Sequence, residues 1–429
     1  MLLHRFLKNV AVFVHQGDEL KEAEVLEKKG QAAKKGGEMS RIIGIRHRRK
    51  KTTAEESRPT MVALRNENGD IREFALPDDD SELDFLLGVF PTSYRNLGDG
   101  EGVEGFLPRH VKQEKKSGRT RVPASYEGFT SGDTVAMLLG GSGDRFAYAL
   151  SRRGEEIGAE VFRIPAFHLK GFRGDSDTEK NHLELVNCYL AKPSLFYRVG
   201  PRDRSYIEVF EAYRARRHTM RDRIACQQRI YQQVVGKVFL SSEGRYPEGK
   251  IEDEYDKAKA NHRLLNLLLA EEEERTRELK KAVQCLPVWK EIFEDVVGLG
   301  EVIAAGLISA VQDIRRFNSK REFKAFLGVH ILPDGSFVRK RRGSVANWNP
   351  GGRQALYLLA EQWNRRPDSE WGKKLREVKR TLREKHPESV LVNGKQRYTD
   401  GHIHKMALWR TMTKFAEHLF KEWRALELK

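Results

Sequence analysis

The strongest constraint on this chain is a change of hydrophobic period just after residue 204. Positions 206, 210, 213, 217, 220, 224, 227, 231 and 234 follow alternating steps of four and three. Seven are apolar (Tyr206, Phe210, Tyr213, Met220, Ile224, Tyr231 and Val234); Arg217 and Gln227 interrupt them. A stripe of that length predicts a long amphipathic helix of coiled-coil character. Ser205 and Glu208 have the spacing of a capping box that would start it. The loop SSEGRYPEGK (241–250) stops it, and a second long helix is expected from about Ile251 to Leu286. That helix carries the apolar cluster Leu264, Leu265, Leu267, Leu268 and Leu269, but its heptad is poor across EEEERTR (271–277). The expectation is an antiparallel helical hairpin over 204–286, through which two copies could pair as a homo-oligomer.

The two sides of the hairpin differ in kind. Before it, RIIGI (41–45), MVAL (61–64) and IREFAL (71–76) read as strands, the last two joined by a turn at Asn66–Asp70. Thr134–Leu139 is another buried strand, followed by a helical stretch from Asp144 to Gly158 and the strand Ala159–Ile164. Strand, helix and strand in close succession predict an α/β domain over 39–203 with some parallel pairing. After the hairpin, residues 287–429 read as mostly helical, with a polar insertion at 367–400 before a final helix Met406–Leu426. Residues 1–38 read as a mobile N-terminal extension, with Met39 as an alternative start.

Charge narrows the class of partner. The chain holds 78 Lys and Arg against 62 Asp and Glu among 429 residues, a formal net charge of +16. Such an excess points to a polyanion, nucleic acid above all. Three cysteines without a CxxC pair argue against metal fingers and a disulfide framework and fit a reducing cytoplasm. No apolar run approaches the roughly 20 residues of a membrane span, and Arg5, Lys8 and His15 interrupt the N-terminal apolar stretch. His15, His402 and His404 read as surface or packing residues rather than ligands.

Gly298-Leu299-Gly300 leading into a helix is the turn of a helix-hairpin-helix, whose backbone N–H groups can approach a phosphate. From Arg315 to Arg353 come ten cations: Arg315, Arg316, Lys320, Arg321, Lys324, Arg339, Lys340, Arg341, Arg342 and Arg353. Only Glu322 and Asp334 oppose them, and Phe317, Phe323, Phe326, Phe337 and Trp348 are interleaved. A basic surface over an aromatic core suits a phosphate backbone. The loop Gly140-Gly141-Ser142-Gly143 lacks the spacing of a dinucleotide or P-loop site and reads as a tight turn.

From Val296, VVGLGEVIAAGLISAVQDIRRFNSKREFKAFLGV resembles the C-terminal domain of the insertion-sequence-one-ten (DEDD) transposases, which include the pilin-gene invertases. GGRQALYLLAEQ (351–362) and GHIHKMALWR (401–410) are similar to the family's closing helices, and the N-terminal strands fall in its order. The resemblance, from about Ser40 to Trp423, implies a RuvC-like (RNase H type) domain, a coiled-coil hairpin and a helical transposase domain. It further implies cutting and rejoining of DNA guided by a structured RNA, in a prokaryotic cytoplasm at the nucleoid. The family's nucleophilic serine precedes a turn glycine by seven residues; Ser336 and Gly343 match that spacing.

The family also implies four carboxylates for Mg²⁺ in the N-terminal domain. At the matching positions this chain carries Arg46, Gly140, His182 and Leu185. None is a hard oxygen donor, and two-metal phosphoryl chemistry needs several on one face. Asp175, Asp177, Glu179 and Glu184 lie near the last pair in sequence, but no carboxylate replaces Arg46 or Gly140. Two readings follow. One is a DNA recombinase acting through Ser336; the other is a catalytically dead, domesticated relative that holds RNA or DNA without strand transfer.

Overall fold

The computed structural model describes residues 41–49, 56–114, 118–175, 177–242, 244, 246–333, 335–340, 343, 346–392 and 395–427. The expected extension at 1–38 and Met39 lie outside these residues. The chain divides into two compact units between Val199 and Gly200. Among the described residues no helix is long and apolar enough to cross a membrane.

The first unit is mixed α/β. In chain order it contains β1 (Ile42–Arg46), β2 (Thr60–Arg65), β3 (Ile71–Leu76), α1 (Asp79–Leu86), β4 (Phe90–Asn96), β5 (Lys112–Gln113) and β6 (Thr120–Glu127). It continues with β7 (Thr134–Leu138), α2 (Asp144–Ile157), β8 (Glu160–Ile164), α3 (Ala166–Arg173), α4 (Asn181–Ala191) and β9 (Tyr197–Arg198). The main sheet has the order β3-β2-β1-β7-β8-β9. β1 pairs antiparallel with β2 and parallel with β7, and β7 pairs parallel with β8. Strands covered on both faces read as near-continuous apolar runs, which is why IIGI and TVAML stood out in the sequence.

Ile43, Ile45, Val62 and Val135 pack on one face with Phe85 of α1 and Leu150 of α2. On the other face Ala136 and Ile164 pack with Leu169 of α3 and Leu185 and Cys188 of α4. α4 crosses β1 so closely that a Cβ at Gly44 would overlap the His182 carbonyl oxygen. A second sheet, β4-β6-β5, was not foreseen. Pro91, Pro123 and a largely exposed polar pattern hide its strands from an apolar-alternation reading.

The second unit begins with α5 (Pro201–Phe239), followed by α6 (Ile251–Ala260) and α7 (Arg263–Gln284). α5 starts earlier than its expected cap. Pro201 occupies the first helical position, and the Asp203 carboxylate accepts from the Gly200 N–H at 3.1 Å. Ser205 therefore lies inside the helix, its hydroxyl donating to the Pro201 carbonyl. The second long helix is also broken, because His262 adopts extended backbone and its Nδ1 accepts from the Leu265 N–H.

α5 and α7 pack antiparallel, with a face turned by about one residue from the expected stripe. Cys226, Ile230 and Val234 meet Leu265 at one end, and Tyr206 and Val209 meet Leu279 and Val283 at the other. Ile224 is 39% exposed. The middle is polar. Arg216 donates to Thr276 and Glu272, and Arg223 donates to the same Glu272. This knot accounts for the poor heptad at 271–277.

A π-helical turn, Trp289–Phe293, leads to α8 (Glu301–Val311), a 3₁₀ turn (Ile314–Arg316), α9 (Lys320–Phe326), α10 (Pro350–Arg365) and α11 (Glu370–Lys385). The strands β10 (Val390–Val392) and β11 (Lys395–Arg397) form a hairpin before α12 (Asp400–Leu426). The expected polar insertion is thus largely helix. Leu375 and Leu382 are buried on a narrow stripe of a highly charged helix, and Trp371 stacks on Trp363. α12 starts ahead of the expected Met406, capped by the Thr399 hydroxyl accepting from the His402 N–H. Phe415, Leu419 and Trp423 of α12 pack with Leu359 and Trp363 of α10 and Ile308 of α8 in one core, which also includes the base of the α5–α7 pair.

Candidate functional site

In the first unit, the four positions at which the resemblance implies carboxylates are built into a different local chemistry. Arg46 ends β1, on the strand whose Gly44 lies under α4. Its guanidinium lies 3.7 Å from Glu179, which also pairs with Arg58. Burial, then the charges of Arg58 and Arg49, lowers the Arg46 pKa. Gly140, just past β7, has φ +81°, a left-handed conformation that a side chain adopts only with strain. His182 is buried, its Nε2 2.6 Å from Glu73 and its Nδ1 without a partner. Leu185 is fully buried in the apolar layer under α4.

The neighbouring carboxylates are used locally. Asp177 accepts from the Glu179 N–H, while Glu82 accepts from the Thr60 hydroxyl and lies 3.2 Å from His47 Nε2. A guanidinium, a bare backbone, an imidazole and an isobutyl group are not the oxygen donors Mg²⁺ requires. These residues do not fit a divalent site of the two-metal kind, and no chemical step is derived through one.

In the second unit, Gly298 takes φ +92° and packs against α10, where a Cβ would lie 2.8 Å from Gln362 Cβ. Gly300 caps α8 and faces open space. The preceding helical element is a single π turn rather than a full helix. Glu301, in the first turn of α8, accepts from Gln284.

The cations of 315–353 divide by what they touch. Arg315 donates to Asp313 and, at 2.7 Å, to Asp203, with 13% of its side chain exposed. Arg202 joins the same cluster through Asp313, Asp203 and Glu427. Burial raises the Asp313 carboxyl pKa, but Arg315 and Arg202 outweigh that and hold it well below the usual carboxylate range. Arg316 donates to the Val311 carbonyl and Gln312 and lies over the Phe317 and Phe326 rings. Lys320, Arg339 and Lys340 are exposed, and Lys324 pairs with Glu417. Arg341 and Arg342 lie outside the described residues.

Ser336 sits on a small hairpin closed by the Ile331–Phe337 bridge. Its carbonyl accepts from the Leu332 N–H at 2.9 Å, and Gly335 takes φ +75° at the bend. The hairpin's second limb is anchored. Phe337 stacks on Trp409 of α12 at 5.5 Å. The Arg353 guanidinium lies 4.7 Å from the Trp348 ring and 4.2 Å from the Trp409 ring, and donates to the Val338 carbonyl. Burial lowers the Arg353 pKa. Arg353 is thus a packing element as much as a surface charge. Trp409 was not singled out by sequence reasoning. A tryptophan in a long amphipathic helix looks like core until its stacking partner is seen.

His402 accepts from the Tyr398 N–H and stacks on that ring at 5.7 Å, and His386 stacks on the same Tyr398 ring at 3.8 Å. No curated protein matches the chain at a significant level. The stretch from the π turn into α11, which holds the glycine turn, the 315–353 cations and the Ser336 hairpin, matches at residues 290–376 the sequence model of the Transposase IS116/IS110/IS902 family.

Proposed function

We propose that this chain is a transposase-family protein that binds element DNA together with a structured guide RNA, with Ser336 as its strand-transfer nucleophile. The observation that carries this reading is the anchored hairpin within the family-matching segment. Phe337 on Trp409 and Arg353 on Val338 hold the limb that follows an exposed serine, and Arg339 and Lys340 come next in the chain. Cations that can reach a nucleophile stabilise charge developing on a phosphoryl group. In the proposed step the Ser336 Oγ–P bond forms as the P–O bond to the leaving sugar oxygen breaks. The hydroxyl proton passes to that oxygen, leaving a phosphoserine diester. Gly298, Gly300, Lys320 and Arg316 belong to the proposed nucleic-acid surface, whereas Arg315 is engaged by carboxylates of its own unit.

A second reading is favoured by the first unit. The strand order β3-β2-β1-β7-β8-β9 supports a RuvC-like arrangement, yet Arg46 ends the strand on which that arrangement would hold its first carboxylate. A binding relative without strand transfer would keep the fold and lose the acids. Pairing of two copies through the α5–α7 hairpin is supported by exposed Leu264 and Leu267, 52% and 60% accessible.

Incubation of the full chain with element-end DNA, candidate RNA and Mg²⁺, read on a denaturing gel, separates the two readings. A covalent protein–DNA adduct that disappears in Ser336→Ala is the expected result. Tight, salt-sensitive RNA binding with no adduct would instead establish the binding-only reading.

A further inference from the structure

A cleft of about 900 Å³ opens beside the first limb of the Ser336 hairpin, between that limb, α9, α11 and α12. Its lining has two chemistries. Ile331, Leu332, Pro333, Val378 and Leu382 supply an aliphatic floor, while six Lys or Arg against two Glu supply the remaining charge. Lys324 and Lys374 are paired with Glu417 and Glu377. Arg321, Lys385 and Arg410 have no carboxylate partner among the described residues.

Of these cations Arg410 is half-buried, and its Nε, shielded from solvent, has no hydrogen-bond partner. A shielded donor left unmet costs free energy, and cations gathered without counter-charges attract an anion between them. The cationic head groups of Arg321, Lys385 and Arg410 suit an anion with hydrogen-bonding oxygens.

We propose that this cleft seats a single unpaired nucleotide at a strand end or break, with its base on the aliphatic floor and its phosphates on Arg410, Arg321 and Lys385. The inference rests on the nucleic-acid reading above and gives it a substrate form. The volume suits one or two nucleotides and excludes a duplex, whose major groove alone is about 12 Å wide. An extruded base held between apolar side chains, with its polar edge on buried partners, is an established way to hold a nucleotide out of its stack. Leu332 forms the cleft wall and donates its N–H to the Ser336 carbonyl. A nucleotide seated there presents its adjoining phosphodiester to the hairpin that carries the serine.

The test measures binding of the full chain to three fluorescent duplexes of equal length: blunt, with a one-nucleotide overhang, and with that overhang nucleotide abasic. The overhang is expected to bind about tenfold tighter than its abasic counterpart, the worth of one seated base. Arg410→Gln, and separately the exposed Lys385→Gln, remove phosphate contacts and should weaken both overhang duplexes by about threefold or more relative to the blunt duplex. Equal affinity for overhang and abasic duplexes, or an advantage of the overhang duplexes over the blunt one that is unchanged in both variants, overturns the cleft assignment while leaving nucleic-acid binding intact. Failure to bind any of the three, and RNA as well, overturns the nucleic-acid reading together with the cleft. Competition by free nucleoside monophosphate at concentrations equal to the overhang duplex would reassign the cleft to a free nucleotide and refute the strand-end assignment.

Discussion

Asp313→Asn provides a direct measure of the buried ion cluster in the second unit. The Asp313 carboxylate is 4% exposed and accepts from Arg202, from the Arg315 guanidinium at 2.6 Å, and from the Arg315 backbone N–H. Neutralising it leaves two arginines sharing Asp203 and Glu427. Breaking a buried pair by removing one partner costs about 3–5 kcal/mol. Because two carboxylates remain, the lower end is expected, about 3 kcal/mol. For a cooperative unit of this size that corresponds to a drop in Tm of about 6–12 °C. The sign of the pH dependence follows from the depressed folded pKa. Asp313 contributes stability above its unfolded pKa of about 3.9, and the contribution is lost as pH falls through the lower folded value. The gap in Tm between wild type and Asp313→Asn should therefore be full at pH 7 and narrow progressively below about pH 4. Calorimetry or circular dichroism from pH 3 to 8 reads both quantities. A Tm within 2 °C of wild type at pH 7, or a gap that does not depend on pH, would refute the claim that this cluster holds the unit together.

Three further outcomes follow. Glu272→Ala leaves Arg216 and Arg223, 16% and 21% exposed, without their shared acceptor; a loss of about 2–4 kcal/mol is expected in urea unfolding. Replacing all three residues with apolar ones of similar volume should restore or exceed wild-type stability, and failure to do so would mean the knot is not the weak point of the hairpin. Leu185→Asp, which restores one carboxylate position, should destabilise the first unit by about 3 kcal/mol or more, because it buries an unpaired charge among Leu169, Cys188 and Phe196. Limited proteolysis at unchanged rates would contradict that. Phe337→Ala should cut adduct formation at Ser336 by about tenfold or more through lost positioning while shifting Tm by only a few degrees; unchanged adduct yield would show that the stacking on Trp409 does not position the serine.

Much of the fold was legible where burial and period agree. The IIGI and TVAML strands are buried on both faces, and the Asn66–Asp70 turn and the Gly158 helix end carry residues whose conformations they favour. Legibility failed where a few long-range contacts outweigh the local pattern. The charged stretch at 370–385 becomes a helix because Leu375, Leu382 and Trp371 find α10 and α12. The seam of α5 turns by a residue because Arg216 and Arg223, which look like solvated positions, meet Glu272 across the pair. Ser205 lost its capping role to Pro201 and Asp203, a competing start only four residues upstream.

The candidate site divides along the same line. Composition could locate a basic segment but could not say which charges are available to a phosphate. Arg315 is engaged by Asp313 and Asp203, and Arg353 is held between two tryptophan rings, while Lys320, Arg339 and Lys340 remain at the surface. The positions at which the resemblance implies carboxylates give the sharper case. Arg46 at the end of β1 could by itself be replaced by aspartate. Here Leu185 is sealed in an apolar layer, Gly140 holds a left-handed backbone, and the Arg46 guanidinium already lies near Glu179. The chemistry of that corner is therefore set by several residues packed around the substitutions. Restoring a carboxylate at Leu185 would break a fold contact before it made a ligand.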